Sequence, residues 1–289
     1  MKHKNVLLAG GTGYLGGYLL KVLIEKQNQV IAIVRSPERL KQTNENYLEI
    51  KQAEVTDPET LKDICKGIDT VISTVGITRQ KDDLTYMDVD YQANMNLLEE
   101  AKKAGIKLFV YVSAINGHKH RNLKIFEAKE KFVDALKSSG IDYTVVRPNG
   151  FYSDMKDFLQ MANSGRIFLF GSGEQKFNPI HGEDLARIIV DTIDENSKEL
   201  TVGGPDILSL NDISELALKA LDKPIKIVHL PDCLRKLTLW FYRTFTSVKT
   251  YGPIEFFLTL MAEDNIAPRY GRHHLKDFFL VETHKGSNS

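Results

Sequence analysis

The chain is short of several things, and each shortage narrows what it can be. It holds only two cysteines, Cys65 and Cys233. They lie far apart and outside any metal-ligand spacing, which predicts reduced thiols with structural roles in a cytoplasmic setting, not a disulfide scaffold or a metal site. It has no excess of charge, with 38 Lys and Arg against 38 Asp and Glu. No overall field draws nucleic acid or an anionic membrane, and any polyanion must be met by local charges. Long apolar runs are also missing. The first follows Met1-Lys2-His3-Lys4 and ends in glycines, not in a small-residue cleavage site, which predicts no signal peptide. The stretch from Leu234 to Met261 is broken by Arg235, Lys236, Arg243 and Lys249. It therefore falls short of the roughly 20 apolar residues a membrane span needs.

What is present is alternation. "NVLLAG", "QVIAIVR", "TVISTVG", "LFVYVSA" and "DYTVVRP" are short, continuously apolar runs, each followed by a longer segment with apolar residues three and four apart. This pattern predicts an α/β fold, a doubly wound parallel sheet covered by helices on both faces. The first helix is expected from about Tyr14 to Lys26. A second starts in "TDPETLKDICKG", with Thr56 or Asp57 as cap, Pro58 in its first turn and Gly67 beyond its end. "YQANMNLLEEAKKAG" ends at Gly105 and "KIFEAKEKFVDALKSSG" at Gly140. After Pro148 the pattern loosens, "ELTVGGP" adds a strand, and the chain from Ile207 onward reads as mainly helical. The expected organisation is a Rossmann-like core over 1–204, with 151–175 contributing to a cap, and a smaller substrate lobe over 205–289.

Gly10-x-x-Gly13-x-x-Gly16 sits between the first strand and first helix. In that context the first glycine permits the tight turn, the second lets backbone approach a pyrophosphate, and the third permits close helix–strand packing. Arg35 ends the second strand, where an NAD site places an acidic residue for the ribose hydroxyls, and Ser36 and Arg39 follow. Arginine pairs with a 2′-phosphate, which favours NADP(H); the alternative is that Arg35 and Arg39 are solvated loop charges.

In order, "LLAGGTGYLG", "IVRSPERL", "AEVTDPETL", "VISTVG", "DYQANMNLLEEAKKAGIKLFVYVSA", "AKEKFVDALKSSGIDYTVVRPNGFY" and "NPIHGEDLA" resemble the atypical short-chain dehydrogenase/reductases of the NmrA-like group. Within that group the chain is most similar to the divinyl chlorophyllide reductases and their bacterial relatives, and the likeness extends into "LTVGGPDILSLNDISELALKALDKPIKIVHLP" and "APRYGRHHLKDFF". The resemblance implies that Gly10, Thr12, Gly13, Tyr14 and Leu15 line the pyrophosphate, and that Arg35, Ser36 and Arg39 surround the adenosine phosphate. It further implies Glu54 and Val55 beside the adenine, and Ser73, Thr74, Val75 and Gly76 near the riboses. Ser113 and Ala114 follow the next strand, and Pro148, Asn149, Gly150 and Phe151 approach the nicotinamide.

One departure matters. Typical members of the superfamily carry Tyr-x-x-x-Lys on a helix, whose spacing of four puts phenol and ammonium on one face. Here Lys129 holds the lysine position, for ribose binding and electrostatic support, and the residue four before it is Ile125. Phenol-assisted carbonyl reduction is thereby in doubt, whereas a conjugated alkene can take hydride with a proton from water or another side chain. Tyr152, Tyr91, His118 and His120 are the candidate donors, the two histidines reading better as an exposed basic loop. His181, at a helix start before Glu183 and Asp184, reads as a packing or capping residue. The run 234–261 reads as an ordinary cap helix, with a lid over an apolar substrate or a peripheral membrane contact as alternatives. The expectation is an NADPH-dependent reductase of an apolar, conjugated small molecule. Its rivals are a non-catalytic NADP(H)-binding sensor or assembly factor and, more weakly, a sugar-nucleotide epimerase or dehydratase. No metal is expected.

Overall fold

The computed structural model describes residues 3–40, 46–80, 83–193, 195 and 197–286. In chain order the elements are β1 (Asn5–Ala9), α1 (Tyr14–Glu25), β2 (Gln29–Val34), β3 (Leu48–Gln52), β4 (Thr70–Ser73), α2 (Ala93–Ala104), β5 (Leu108–Val112), α3 (Lys124–Lys137) and β6 (Asp142–Pro148). There follow α4 (Lys156–Asn163), β7 (Ile167–Phe170), β8 (Lys176–Phe177), α5 (Gly182–Thr192), β9 (Glu199–Val202), β10 (Leu208–Ser209), α6 (Leu210–Ala220), β11 (Ile227–Leu230), α7 (Asp232–Phe245), α8 (Val248–Leu260) and α9 (Leu275–Gly286).

A seven-stranded sheet runs in the order β3-β2-β1-β4-β5-β6-β9, and its ladders from β3 through to β6 are parallel. The order reverses between β1 and β4, the switch point at which open α/β sheets bind ligands. The central strands β1 and β4 are buried along almost their whole length, because both faces are covered, and this is why they read as unbroken apolar runs. The edge strand β3 escapes the sequence pattern. Its residues Leu-Glu-Ile-Lys-Gln are half exposed, so it lacks both an apolar run and clean alternation.

The helix expected in "TDPETLKDICKG" is instead a single 3₁₀ turn, Pro58–Leu61. Its start is as read, with Asp57 accepting from the Glu59 N–H and Pro58 in the first turn. It stops because Lys62 is extended and Asp63 is left-handed at φ +62, its N–H donating to the Glu100 carboxylate instead of continuing a helical ladder. The helix ending at Gly105 forms as α2, capped by that glycine at φ +69, and is preceded by π-helical turns over Met87–Gln92. In the stretch from Ile207 onward α6 to α9 form as expected, but β10 and β11 interrupt them, β11 pairing parallel to β7.

The chain divides into two compact units, Met1–Arg147 with Leu185–Leu200, and Pro148–Asp184 with Thr201–Ser289. The first has a core of sheet and helix residues such as Leu7, Val71, Leu97, Phe109, Tyr111 and Phe132. The second has its own core, built on Tyr152, Phe158, Ile167, Leu210, Leu218 and Phe279.

Candidate functional site

The loop after β1 is shaped by close approach. Gly10 is left-handed at φ +87, and a Cβ there would collide with the Thr74 hydroxyl, which itself donates to the Ala9 carbonyl at 3.1 Å. A Cβ on Gly16 would collide with the Gly10 carbonyl, so α1 rests directly on the turn. Gly13 is the N-cap of α1 and brings no side chain to occupy the first-turn N–H groups, and that turn contains no acidic residue. Thr12 and Gly13 are exposed, Tyr14 is half-buried, and the Leu15 side chain is buried against the sheet. Backbone dipoles opening on solvent, with no carboxylate in that first turn, fit a pyrophosphate.

Arg35 is exposed at the end of β2, its Nε 3.8 Å from a Glu54 carboxylate oxygen. Ser36 precedes the short turn Pro37–Arg39 without a side-chain bond to it, and Arg39 is exposed in it. Glu54 also accepts from the Thr56 hydroxyl at 3.0 Å, and the Val55 carbonyl accepts from Asn96 at 3.0 Å, which fixes the chain beyond β3. The cations and the chain segment expected around an adenosine phosphate are thus grouped at the ends of β2 and β3.

At the end of β4, the Ser73 hydroxyl donates to Asn94 Oδ1 at 2.5 Å, and Asn94 Nδ2 donates to the carbonyls of Val75 and Asp90 at 3.2 and 3.0 Å. Asn94 thus staples the strand end to α2. Asp90 is fully buried, receives the Ile77 N–H at 3.2 Å, and lies 2.8 Å from Lys129 Nζ, which reaches it from α3. Gly76 passes directly over this pair, for a Cβ on it would lie 2.5 Å from Asp90 Oδ1 and 2.7 Å from Lys129 Nζ. Burial alone would drive the Lys129 ammonium towards neutrality, but Asp90 and the Tyr111 hydroxyl outweigh it and hold the lysine well above its usual range. Burial also pushes the Asp90 carboxyl upward, against the pull of that ammonium and of the Ile77 N–H. Tyr111 on β5 lies beside the lysine, which sits 5.8 Å from its ring centroid; its hydroxyl is buried without a hydrogen bond of ordinary geometry, and burial raises its pKa.

Lys129 thus reaches from α3 to Asp90 and Gly76 beyond the end of β4, while Ile125, one turn earlier, is buried. Asp90 and Asn94 were missed by sequence reasoning. The available signal was two polar residues four apart in "DYQAN", on the helix face that otherwise carries the core residues.

Other expected residues are held elsewhere. The Ser113 hydroxyl donates to Glu130 at 3.0 Å, in a buried network where Arg147 grips Glu130 through two nitrogens at 2.6 and 2.9 Å and reaches Glu199 at 3.2 Å. The adjoining Ala114 carbonyl is 3.5 Å from Arg147. Tyr91 lies under the Lys131 ammonium at 4.2 Å from its ring centroid, and His118 is exposed.

Pro148, Asn149, Gly150 and Phe151 fall in the second unit. Asn149 is buried and donates to Asn178 Oδ1 at 2.7 Å and the Asn265 carbonyl at 2.6 Å, while Phe151 bridges to Ile180. Tyr152, expected as a proton donor, is completely buried and donates its hydroxyl to the His273 carbonyl at 2.6 Å. This corrects the expectation: a phenol spent on a backbone carbonyl inside a core is a structural tie, not an open acid.

His181 acts as the cap expected of it, its Nδ1 accepting the Glu183 N–H at 3.2 Å, and its ring stacks on His273 at 4.2 Å. His181, Glu183 and His273 bring donor atoms within 4.8 Å of one another. Because His181 accepts through Nδ1, its neutral form carries the proton on Nε2, so neither ring nitrogen offers a metal a lone pair without breaking the cap.

Residues 10–196 match the family described as NAD(P)H-binding, and the chain belongs to it. It is 28% identical to the chloroplastic divinyl chlorophyllide a 8-vinyl-reductase of Arabidopsis thaliana, over 99% of this chain and 78% of that one. It is 27% identical to the photosystem II assembly factor Ycf39 of Synechocystis, over 83% and 74% of the two chains. Among solved structures, the NADPH-dependent quinone oxidoreductase of Escherichia coli, in complex with NADPH, superposes with a TM-score of 0.71 at 18% identity over 96% of this chain and 99% of that one.

Proposed function

We propose that the protein is an NADPH-dependent reductase acting on an apolar, conjugated small molecule. The observation that carries the reading is the buried Lys129–Asp90 pair beneath Gly76, just beyond the end of β4, the strand that lies next to β1 and its bare-backbone turn at Gly10. In this reading the N–H groups at the start of α1 hold the pyrophosphate, and Thr74 keeps the Gly10 turn in shape to do so. Arg35, with Ser36 and Arg39, receives the 2′-phosphate; without it the arginine leans on Glu54. Lys129, kept charged and aimed by Asp90, holds the ribose hydroxyls at the nicotinamide end.

The bound cofactor supplies a hydride. Ile125 leaves the face before Lys129 without a hydroxyl, so the chain is suited to an acceptor that needs no phenol. An alkene conjugated to an electron-withdrawing group is such an acceptor: one carbon gains hydride, water supplies the proton to the conjugated partner, and the double bond becomes single as NADPH becomes NADP⁺. The vinyl reduction in the name of the Arabidopsis relative belongs to this class, which supports the choice. The same Ile125 favours a second reading, a cofactor-binding sensor or assembly factor without turnover, which the likeness to Ycf39 also supports.

Two measurements separate the readings. NADPH oxidation against a panel of conjugated alkenes, enones and quinones should show turnover, and tight binding with no turnover on any of them selects the sensor. Calorimetric titration of Arg35→Ala should show NADPH affinity falling by about 1.5–3 kcal/mol, roughly tenfold to more than a hundredfold, with NADH little changed. Equal losses for the two cofactors remove Arg35 from the phosphate role.

A further inference from the structure

Helix α7 presents an apolar stripe that is left about half exposed. None of its residues is buried, and Leu237, Trp240, Phe241 and Phe245 are 56%, 58%, 50% and 63% exposed. Leu234, Leu237, Phe241 and Phe245 recur at intervals of three and four and so share one face, with Trp240 on its flank. The rings make a continuous cluster, Phe245 lying 5.0 Å from Phe241 and 6.0 Å from Trp240 between centroids. A contiguous exposed surface of this kind marks an interaction site.

Charge selects the occupant. The whole chain is balanced, yet from Cys233 to Ile254 there is no acidic residue and there are four basic ones, Arg235, Lys236, Arg243 and Lys249. By formal charge α7 and α8 set these four cations against two carboxylates, Asp232, which engages Arg235 and lies 3.6 Å from Lys236, and the buried Glu255, which engages Arg243, so the pair of helices is net positive. A second copy of the same surface would set like charges against each other. An anionic bilayer satisfies both features, taking the apolar stripe and Trp240 into its headgroup boundary while its phosphates meet the cations. At 14 residues α7 is about 21 Å long, suited to lying in that plane and too short to cross it.

We propose that α7 is a peripheral docking surface for an anionic lipid bilayer. Trp240 is the chain's single tryptophan, so its fluorescence reports on this surface alone. The full chain is titrated with vesicles of phosphatidylcholine containing phosphatidylserine, and with phosphatidylcholine alone. The expected result is a blue shift of Trp240 emission and co-sedimentation with the anionic vesicles, both weakened by salt. Phe241→Asp should cut this binding at least about tenfold while its melting temperature and circular dichroism match those of the unaltered chain, because the side chain is already exposed. Absence of both signals with anionic vesicles, equal binding to neutral ones, or undiminished binding by Phe241→Asp overturns the proposal. So does a blue shift that grows with protein concentration in the absence of lipid, which assigns the surface to a second copy.

Discussion

Replacing Asp90 by Asn keeps the shape of the side chain and an acceptor for the Ile77 N–H, but removes the charge that compensates Lys129. Breaking a buried ion pair by deleting one partner typically costs about 3–5 kcal/mol, since the other charge stays buried alone. The Lys129 side chain is 14% exposed and an asparagine oxygen can still accept from it, so we expect a loss at or below the foot of that range, about 2–3 kcal/mol. At roughly 2–4 °C per kcal/mol for a chain of this size, the melting temperature should fall by about 4–12 °C. Circular dichroism melts of the unaltered chain, Asp90→Asn, Lys129→Met and the double variant form a cycle. The double variant buries no charge at this position, so it should be less destabilised than the two single losses together, by at least about 1 kcal/mol. Additivity within about 0.5 kcal/mol would refute the claim that the two residues act as one unit.

Two further outcomes follow from the second unit. Tyr152→Phe should lower stability by about 1 kcal/mol through the stranded His273 carbonyl, with turnover per folded molecule unchanged; a selective loss of turnover would return the phenol to the reaction. Burial, and then the neighbouring His273, hold the His181 imidazole below its ordinary value of 6.5, against the pull of Asp184 and Glu183. The unfolded chain therefore binds the extra proton first as the solution is acidified, so the contribution of His181 to stability is complete above pH 6.5 and is lost as pH falls below it. Chemical denaturation from pH 7.5 down to about pH 5.5 should show this loss, reduced in His181→Asn; an unchanged slope in the variant would contradict it.

The parallel sheet was legible because strands covered on both faces must be apolar throughout, as Val6 to Ala9 and Thr70 to Ser73 nearly are. The glycine turn was legible because each of its close approaches demands the absence of a side chain. Lys129 was legible from spacing, but its partner was not. Asp90 sits in π-helical turns, a local geometry that no residue pattern announces, and an acidic residue in a helix is ordinarily solvated rather than buried. Tyr152 misled for the opposite reason, and the partners of Asn149 were equally hidden. Both follow a strand end where ligands gather, yet their polar atoms are spent on His273, Asn178 and Asn265, more than 25 residues away in sequence. Such long-range pairing is invisible to local pattern.

The central claim is that this chain aims a hydride at a carbon acceptor and does not merely hold its cofactor. The most direct measurement follows deuterium from NADPH labelled at the nicotinamide C4, under single-turnover conditions with the best acceptor from the panel, by mass spectrometry of the product. The account predicts one deuterium per product molecule, carried on carbon, with the rate in Lys129→Met reduced at least about tenfold even when NADPH saturates it. NADPH bound tightly and recovered with its label intact, whatever acceptor is offered, would contradict it.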